Sequence, residues 1–94
     1  MIRSYGDAET RRFALGAQTR KFEAFRRQLE KALDRLDAAA GICDMVNFPG
    51  HRFERLGGDR ARRYSIRVDR RWRISFDWPE GSPGPENVTI ELQY

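Results

Sequence analysis

Soft metal ligands and long apolar runs are scarce in this sequence of 94 residues. A single cysteine, Cys43, excludes an internal disulfide framework. With only one histidine, His51, the chain also has too few ligands for a zinc site. No segment approaches the roughly 18 apolar residues of a membrane span, and residues 1–6 lack the apolar stretch of a signal peptide. We therefore expect one cytoplasmic domain, residues 1–94, with a modest core and no metal, cofactor or membrane partner.

Lysine is missing from the most basic part of the chain. Residues 51–78 carry nine arginines, no lysine and four acidic side chains, whereas residues 79–94 carry three acidic side chains and no base. The net charge of +4 is therefore concentrated on one segment, which suits a polyanion such as nucleic acid. The alternative is that these charged side chains form a surface that contacts only solvent. The preference for arginine, whose forked guanidinium fits phosphate oxygens, favours a binding surface.

The first half of the chain has the apolar spacing of helices. Residues 2–5 can form a short strand, and Asp7 is predicted to cap a short helix through Phe13 that Gly16 ends. Apolar residues then recur three and four apart in one stripe, which predicts a long helix that ends at Gly41. The members of this stripe are Phe22, Phe25, Leu29, Leu33, Leu36 and Ala40.

After residue 50, apolar and polar residues alternate as they do in strands. The alternation runs through Tyr64–Val68, Trp72–Trp78 and Val88–Leu92, with a tight turn at Asp69–Arg70. The apolar face of this antiparallel sheet is predicted to pack on the long helix and to hold the aromatic residues. The other face is predicted to be wet and to carry Arg63, Arg67, Arg71 and Arg73. A short strand, two helices and then an antiparallel sheet give an α+β fold.

Three stretches of the sequence carry a family resemblance: MIRSYGD at the start, then FPGHRFERLGGDRARRYSIRV, then RRWRISFDW. Together they resemble the HigB-type toxins, the plasmid-maintenance killer proteins of the RelE/ParE superfamily, over nearly the whole chain. The resemblance implies a compact RelE-like domain that cleaves messenger RNA on the translating ribosome without a metal. It also implies an oligomeric complex with a HigA-type antitoxin that carries a helix-turn-helix DNA-binding domain.

The functional positions of that family are matched in part. Arg73 stands at the arginine of the family's Trp-Arg-Ile strand, and Arg60 at the arginine of its aspartate–arginine pair. Gly57 replaces a lysine that many members have, and Glu54 stands where some members have a histidine. The chain ends Leu92-Gln93-Tyr94, where the family commonly has aspartate, tyrosine and histidine. A nuclease with this ending works with fewer acid–base groups.

Metal-free cleavage of RNA has to deprotonate the 2′-hydroxyl, neutralise the charged phosphate and protonate the leaving oxygen. We assign the phosphate to Arg60 and Arg73, because a forked guanidinium fits two phosphoryl oxygens. Glu54 and His51 are both candidates for the base, and Tyr94 can donate a proton or stack on a nucleobase. The structural alternatives are an ion pair for Glu54, an exposed loop position for His51 and packing at the sheet edge for Tyr94. The arginines expected to bind the RNA backbone are Arg55, Arg63, Arg67 and Arg71.

Two other functions stay open on the same fold. One is a ParE-like toxin that poisons DNA gyrase without nuclease residues, and the other is an RNA-binding module or a weakened homologue. The segment Trp72–Phe76, which reads WRISF, favours the endoribonuclease. The altered C-terminus favours the alternatives.

Overall fold

The computed structural model describes residues 1–46, 52–56 and 63–92. Within these residues helices precede four strands, so the predicted α+β class is confirmed. The elements are α1 (Ala8–Ala14), a 3₁₀ helix (Arg20–Phe25), α2 (Arg26–Ala38), α3 (Cys43–Val46), β1 (Phe53–Leu56), β2 (Arg63–Arg67), β3 (Trp72–Asp77) and β4 (Glu86–Leu92). The strands pair antiparallel in the order β1-β2-β3-β4, so each strand neighbours the next one along the chain.

The first helix has the cap that the sequence predicts. The Asp7 side chain accepts a hydrogen bond from the backbone nitrogen of Thr10 at 2.7 Å, which satisfies one free donor of the first turn. Gly16, with φ of +97°, follows the helix end as expected. The strand predicted for residues 2–5 is reduced, among the described residues, to one parallel bridge between Tyr5 and Val88. The segment before α1 is thus tied to β4 without forming a regular strand.

The apolar stripe that predicts one long helix is divided between two helices. Arg20–Phe25 is a 3₁₀ helix, whose three-residue period directs Phe22 and Phe25 to the same side. Arg26 fastens the junction, since its guanidinium donates to the Ala17 carbonyl at 2.7 Å and to the carboxylate of Glu23. The helix α2 ends at Ala38 rather than at Gly41, because Ala39 is extended. The predicted burial of the stripe nevertheless holds for Phe22, Leu29, Leu33 and Leu36.

The hairpin between β2 and β3 forms where the alternation predicts it. Tyr64 lies opposite Phe76 and Ile66 opposite Ile74. Asp69 closes the turn, because its carboxylate accepts hydrogen bonds from the backbone nitrogens of Arg71 and Trp72, both at 2.8 Å. The strand β1, which the sequence pattern did not reveal, pairs with β2 at the edge of the sheet.

The core lies between one face of the sheet and the helices. Phe22 makes edge-to-face contacts with Phe13 and Trp72, with ring centres 5.4 and 5.1 Å apart. Buried leucines of α2 belong to the same cluster as the apolar sheet residues. The aromatic residues of the hairpin, Tyr64, Trp72, Phe76 and Trp78, are buried in this core. The opposite face of the sheet is therefore left for polar contacts.

Candidate functional site

The face of the sheet opposite the core is polar, and its centre is buried. Alternation along the paired strands places one set of side chains there. The polar side chains of this face, called the polar face below, are those of Glu54, Arg63, Ser65, Arg67, Arg73, Ser75, Asp77, Thr89 and Glu91, and the apolar side chain of Leu56 lies among them on β1. Ser65 and Ser75 lie opposite each other at its middle and are only 3% and 0% exposed. Longer charged side chains around the two serines therefore form the accessible surface.

The register of the sheet places the arginines in one cross-strand row. Arg67 lies opposite Arg73, and Arg73 lies opposite Glu91 of β4. At the other side of Arg67, its backbone nitrogen donates to the carbonyl of Arg52 at 3.0 Å. Two neighbouring guanidinium groups in a row repel each other unless an anion lies nearby. Glu91 supplies that negative charge from within the chain.

A connected set of hydrogen bonds fixes two of the predicted arginines. Arg63 donates to Asp77 Oδ1 at 3.2 Å and to Ser75 Oγ at 2.8 Å. The Ser75 hydroxyl donates in turn to Glu91 Oε1, and Arg73 Nη2 donates to Glu91 Oε2 at 3.2 Å. Arg63 Nη2 is also 4.0 Å from Glu91 Oε1. The prediction of a simply wet guanidinium surface is therefore wrong for Arg63 and Arg73, whose side chains are 14% and 27% exposed.

Arg73 keeps one polar atom that nothing in the described part of the chain satisfies. Its Nε is shielded from solvent and has no hydrogen-bond partner among residues 1–46, 52–56 and 63–92. A buried donor without an acceptor costs about 1–3 kcal/mol. An anionic oxygen placed beside the guanidinium would remove that cost. Arg73 is thus held on the polar face with one donor, Nε, that has no acceptor among the described residues.

Two predicted RNA-binding arginines lie away from the polar face. The guanidinium carbon of Arg55 is 5.8 Å from the ring centre of Tyr64, which belongs to the core side of the sheet. That of Arg71 is 5.9 Å from the ring centre of Phe25 in the 3₁₀ helix. The prediction that Arg71 shares a face with Arg73 is wrong, because residue 71 is still in the turn that Asp69 closes and β3 begins only at residue 72.

The remaining candidates are divided between the sheet and the segments outside the described residues. Glu54 lies on β1 opposite Ser65, on the polar face and exposed. His51, Arg60 and Tyr94 lie outside the described residues. No group of three or more histidine, cysteine, aspartate or glutamate side chains that could hold a metal occurs within the described ranges. In the same ranges no helix is long and apolar enough to cross a membrane.

Sequence reasoning missed Glu91 and Ser75 as partners of the arginines. Glu91 stands two residues after Thr89, so the sequence predicts that the two side chains lie on the same face of β4. The contact of Glu91 with Arg73 could not be predicted from the sequence. It depends on the register of β4 against β3 and on an irregularity in their pairing near Ser75. The signal that could have identified Glu91 is an acidic residue on the strand beside that of an arginine, at a position whose side chain lies on the same face of the sheet.

Comparison with known proteins identifies the family. Residues 3–90 match the model of HigB-like toxins, described as the RelE-like toxin of the type II toxin–antitoxin system HigB. The chain belongs to the HigB-like toxin family. Its polar face, apart from Glu91, lies within the matched residues.

One curated relative of this HigB-like chain is Toxin HigB-1 of Vibrio cholerae serotype O1 (strain ATCC 39315 / El Tor Inaba N16961). The two sequences are 42% identical over 53 residues. The aligned segment covers 56% of this chain and 56% of the Vibrio toxin, so the match extends over little more than half of either protein.

Proposed function

We propose that this chain is the toxin of a type II toxin–antitoxin pair and that it stops translation by cutting messenger RNA on the ribosome. Its membership of the HigB-like family supports the toxin role. The observation that carries the nuclease role is Arg73, which is held on the polar face with a shielded, unpartnered Nε. A guanidinium in that state has one donor without an acceptor, and a phosphoryl oxygen that reaches it would supply one.

The chemistry follows from what a guanidinium can do for a reacting phosphate. Attack by a 2′-hydroxyl adds negative charge to the phosphoryl oxygens, and Arg73 can donate two parallel N–H groups to them. Arg60 is proposed as the second cation on the same phosphate. The two arginines neutralise the charge that forms in the transition state. Removing one such donor typically slows a reaction by about 10²–10³-fold.

Proton transfer and RNA positioning are assigned to the remaining candidates. Glu54 projects from β1 onto the polar face and is proposed to take the proton from the 2′-hydroxyl, with His51 as the other candidate. Tyr94 is proposed to protonate the leaving oxygen or to stack on a nucleobase. Arg63 and Arg67 flank the site from β2 and contact the neighbouring phosphates. Holding the substrate in a reactive geometry supplies several kcal/mol of the barrier reduction, on the order of 7–11 kcal/mol at best.

The partners follow from the same proposal. A type II toxin requires an antitoxin, and we expect a HigA-type protein with a helix-turn-helix domain in an oligomeric complex with this chain. The ribosome and its messenger RNA are the target, so the proposed compartment is the cytoplasm. The chain is expected to fold as one domain over residues 1–94.

A non-nucleolytic toxin on the same fold is the second candidate. The observation that favours it is Leu92, which pairs opposite Trp72 on β4 and is 40% exposed. The family resemblance puts an acidic group near this end of the chain, and a leucine side chain cannot transfer a proton. A toxin without that group could act by binding alone, as the ParE-like gyrase poisons do.

Expression in a bacterial host tests the proposal and separates the two candidates. Induction of this chain alone should stop growth, and co-expression of the antitoxin from the neighbouring reading frame should restore it. Primer extension on cellular messenger RNA should show new 5′ ends after induction, while plasmid supercoiling stays unchanged. Relaxed plasmids with intact messages would instead identify a gyrase poison. Normal growth with soluble, folded protein would contradict both.

A further inference from the structure

The Glu91 carboxylate lies between the guanidinium groups of Arg63 on β2 and Arg73 on β3. Its Oε2 accepts from Arg73 Nη2 at 3.2 Å, and its Oε1 accepts from the Ser75 hydroxyl and lies 4.0 Å from Arg63 Nη2. A carboxylate that spans two guanidinium groups places its two oxygens much as a phosphate places two of its own. The position of Glu91 is therefore the position in which an anionic ligand would best satisfy both arginines.

The groups around Glu91 differ in how freely they can move. Ser75 is fully buried, and the side chains of Arg63 and Arg73 are 14% and 27% exposed. Glu91 itself is 35% exposed and stands near the end of β4. Its carboxylate can leave for water while the serine and the arginines stay in place. Arg63 also keeps its second carboxylate partner, Asp77, when Glu91 departs.

We propose that Glu91 is the built-in occupant of a phosphate site formed by Arg63, Arg73 and Ser75, and that a phosphate of bound RNA displaces it. This proposal rests on the proposed function in one respect, namely that the polar face binds RNA. Without RNA, Glu91 cancels the repulsion between neighbouring arginines and keeps Arg73 oriented. With RNA, the phosphate takes over the Ser75 hydroxyl and the guanidinium donors, and its remaining oxygen reaches the unpartnered Nε of Arg73.

The proposal has an energetic consequence that can be measured. Each binding event has to break the Arg73–Glu91 pair and return a charged carboxylate to water, so part of the phosphate affinity is lost to this competition. Replacing Glu91 by glutamine keeps the side-chain length and the acceptor for Ser75 but removes the negative charge. The glutamine variant should therefore bind RNA more tightly than the natural chain.

The experiment uses a short single-stranded RNA that is 2′-O-methylated at every position, with binding followed by fluorescence anisotropy. Such RNA has no 2′-hydroxyl nucleophile, so binding can be read whether or not the chain is a nuclease. Glu91→Gln should lower the Kd by about fivefold, the order expected for one partly exposed ion pair. Glu91→Ala serves as a second variant and should show the same direction of change.

Two controls separate local competition from overall charge. Glu80→Gln removes the same charge from the exposed turn between β3 and β4 and should change the Kd by less than about twofold. In an Arg73→Ala background, Glu91→Gln should give a smaller gain, because the Arg73–Glu91 pair is already absent and only the longer contact with Arg63 remains to be released.

The proposal would be overturned by a Kd for Glu91→Gln equal to or above that of the natural chain, by an equal gain from Glu80→Gln, or by a gain that is undiminished without Arg73. Failure of the natural chain and of Glu91→Gln to bind this RNA at all would overturn it too. Tighter binding by Glu91→Gln, together with no cleavage of unmodified messenger RNA, would leave this site standing and contradict the nuclease role alone.

Discussion

At the scale of single residues, the arginines of the polar face are partly neutralised by acidic side chains of the same chain. Arg63 has Asp77 and Ser75, and Arg73 has Glu91. The sequence predicted which arginines face away from the core on β2 and β3. It did not predict Glu91 and Ser75 as their partners, because a cross-strand contact depends on register and loop geometry rather than on the local pattern. Arg73 is the residue at which pairing is incomplete, since its Nε has no partner among the described residues.

Replacement of Arg73 by lysine should leave the fold intact and should not preserve function. An ammonium group keeps the pair with Glu91 but cannot place two parallel donors on a phosphate. The free energy of unfolding should change by less than about 1 kcal/mol, as for other partly exposed ion pairs. Thermal unfolding followed by circular dichroism, alongside a growth assay, checks both parts. A fully toxic Arg73→Lys would show that a point charge is sufficient at this position.

At the scale of elements, local chemistry predicted the pieces whose signals lie close together in the chain. Asp7 caps α1 and Asp69 closes the hairpin turn, and both aspartates bond to backbone nitrogens two or three residues ahead. The strand β1 escaped prediction because its four residues carry apolar side chains only at its two ends, Phe53 and Leu56. The division of the apolar stripe between a 3₁₀ helix and α2 was also not predicted, because apolar residues three apart fit both kinds of helix. Burial was therefore predicted better than helix boundaries were.

Replacement of Gly6 by alanine should destabilise the protein. A Cβ at this position would collide with the Thr89 side chain and would lie 3.1 Å from the backbone oxygen of Asn87. The collision would push the N-terminal segment away from β4, at a cost of about 1–3 kcal/mol. Gly41→Ala is the matched control, because a Cβ there meets nothing within 4 Å. Equal urea midpoints for the two variants would contradict the close approach at Gly6.

The junction between the 3₁₀ helix and α2 should weaken in acid. Hydrogen bonds from Arg26 and from the backbone of Thr19 lower the pKa of Glu23 below its ordinary value of 4.5. A carboxyl whose pKa is lower in the folded state stabilises the fold above its unfolded pKa, and that contribution is lost as pH falls through the folded value. NMR titration of the Glu23 carboxyl should therefore give a midpoint below 4.5. In Glu23→Gln this part of the acid dependence should disappear, and a midpoint at or above the ordinary value would refute the assignment.

At the scale of the whole molecule, the charged side chains and the apolar core lie on opposite faces of one sheet. The core face holds the hairpin's aromatic residues against the helices, and the polar face holds arginines and carboxylates in cross-strand rows. The excess of base in residues 51–78 predicted an anion-binding surface. The structure reduces its size to Arg63, Arg67 and Arg73 on the polar face, because Arg55 and Arg71 lie against aromatic rings.

RNA binding should depend on salt, with a slope that reports this reduced number of contacts. If about four arginines meet phosphates (Arg60, Arg63, Arg67 and Arg73), the slope of log K against log salt is roughly −3, at about −0.7 for each contact with a single strand. Raising the salt concentration from about 50 to 200 mM should then weaken binding by roughly fiftyfold. Arg67→Ala should make the slope shallower by about 0.7. A flat response would mean that the arginines stay in their internal pairs when RNA is present.

The most direct test of the account is cleavage of messenger RNA by the purified protein on purified, message-programmed ribosomes, with the 5′ ends of the products mapped. The natural chain should produce new ends only when ribosomes are present. Arg73→Ala should lower the cleavage rate by about 10²-fold or more, since it removes the proposed phosphate donor. Arg11→Ala, which removes an exposed arginine of α1, should cut at the natural rate. Undiminished cleavage by folded Arg73→Ala, or no cleavage by the folded natural chain, would contradict the account.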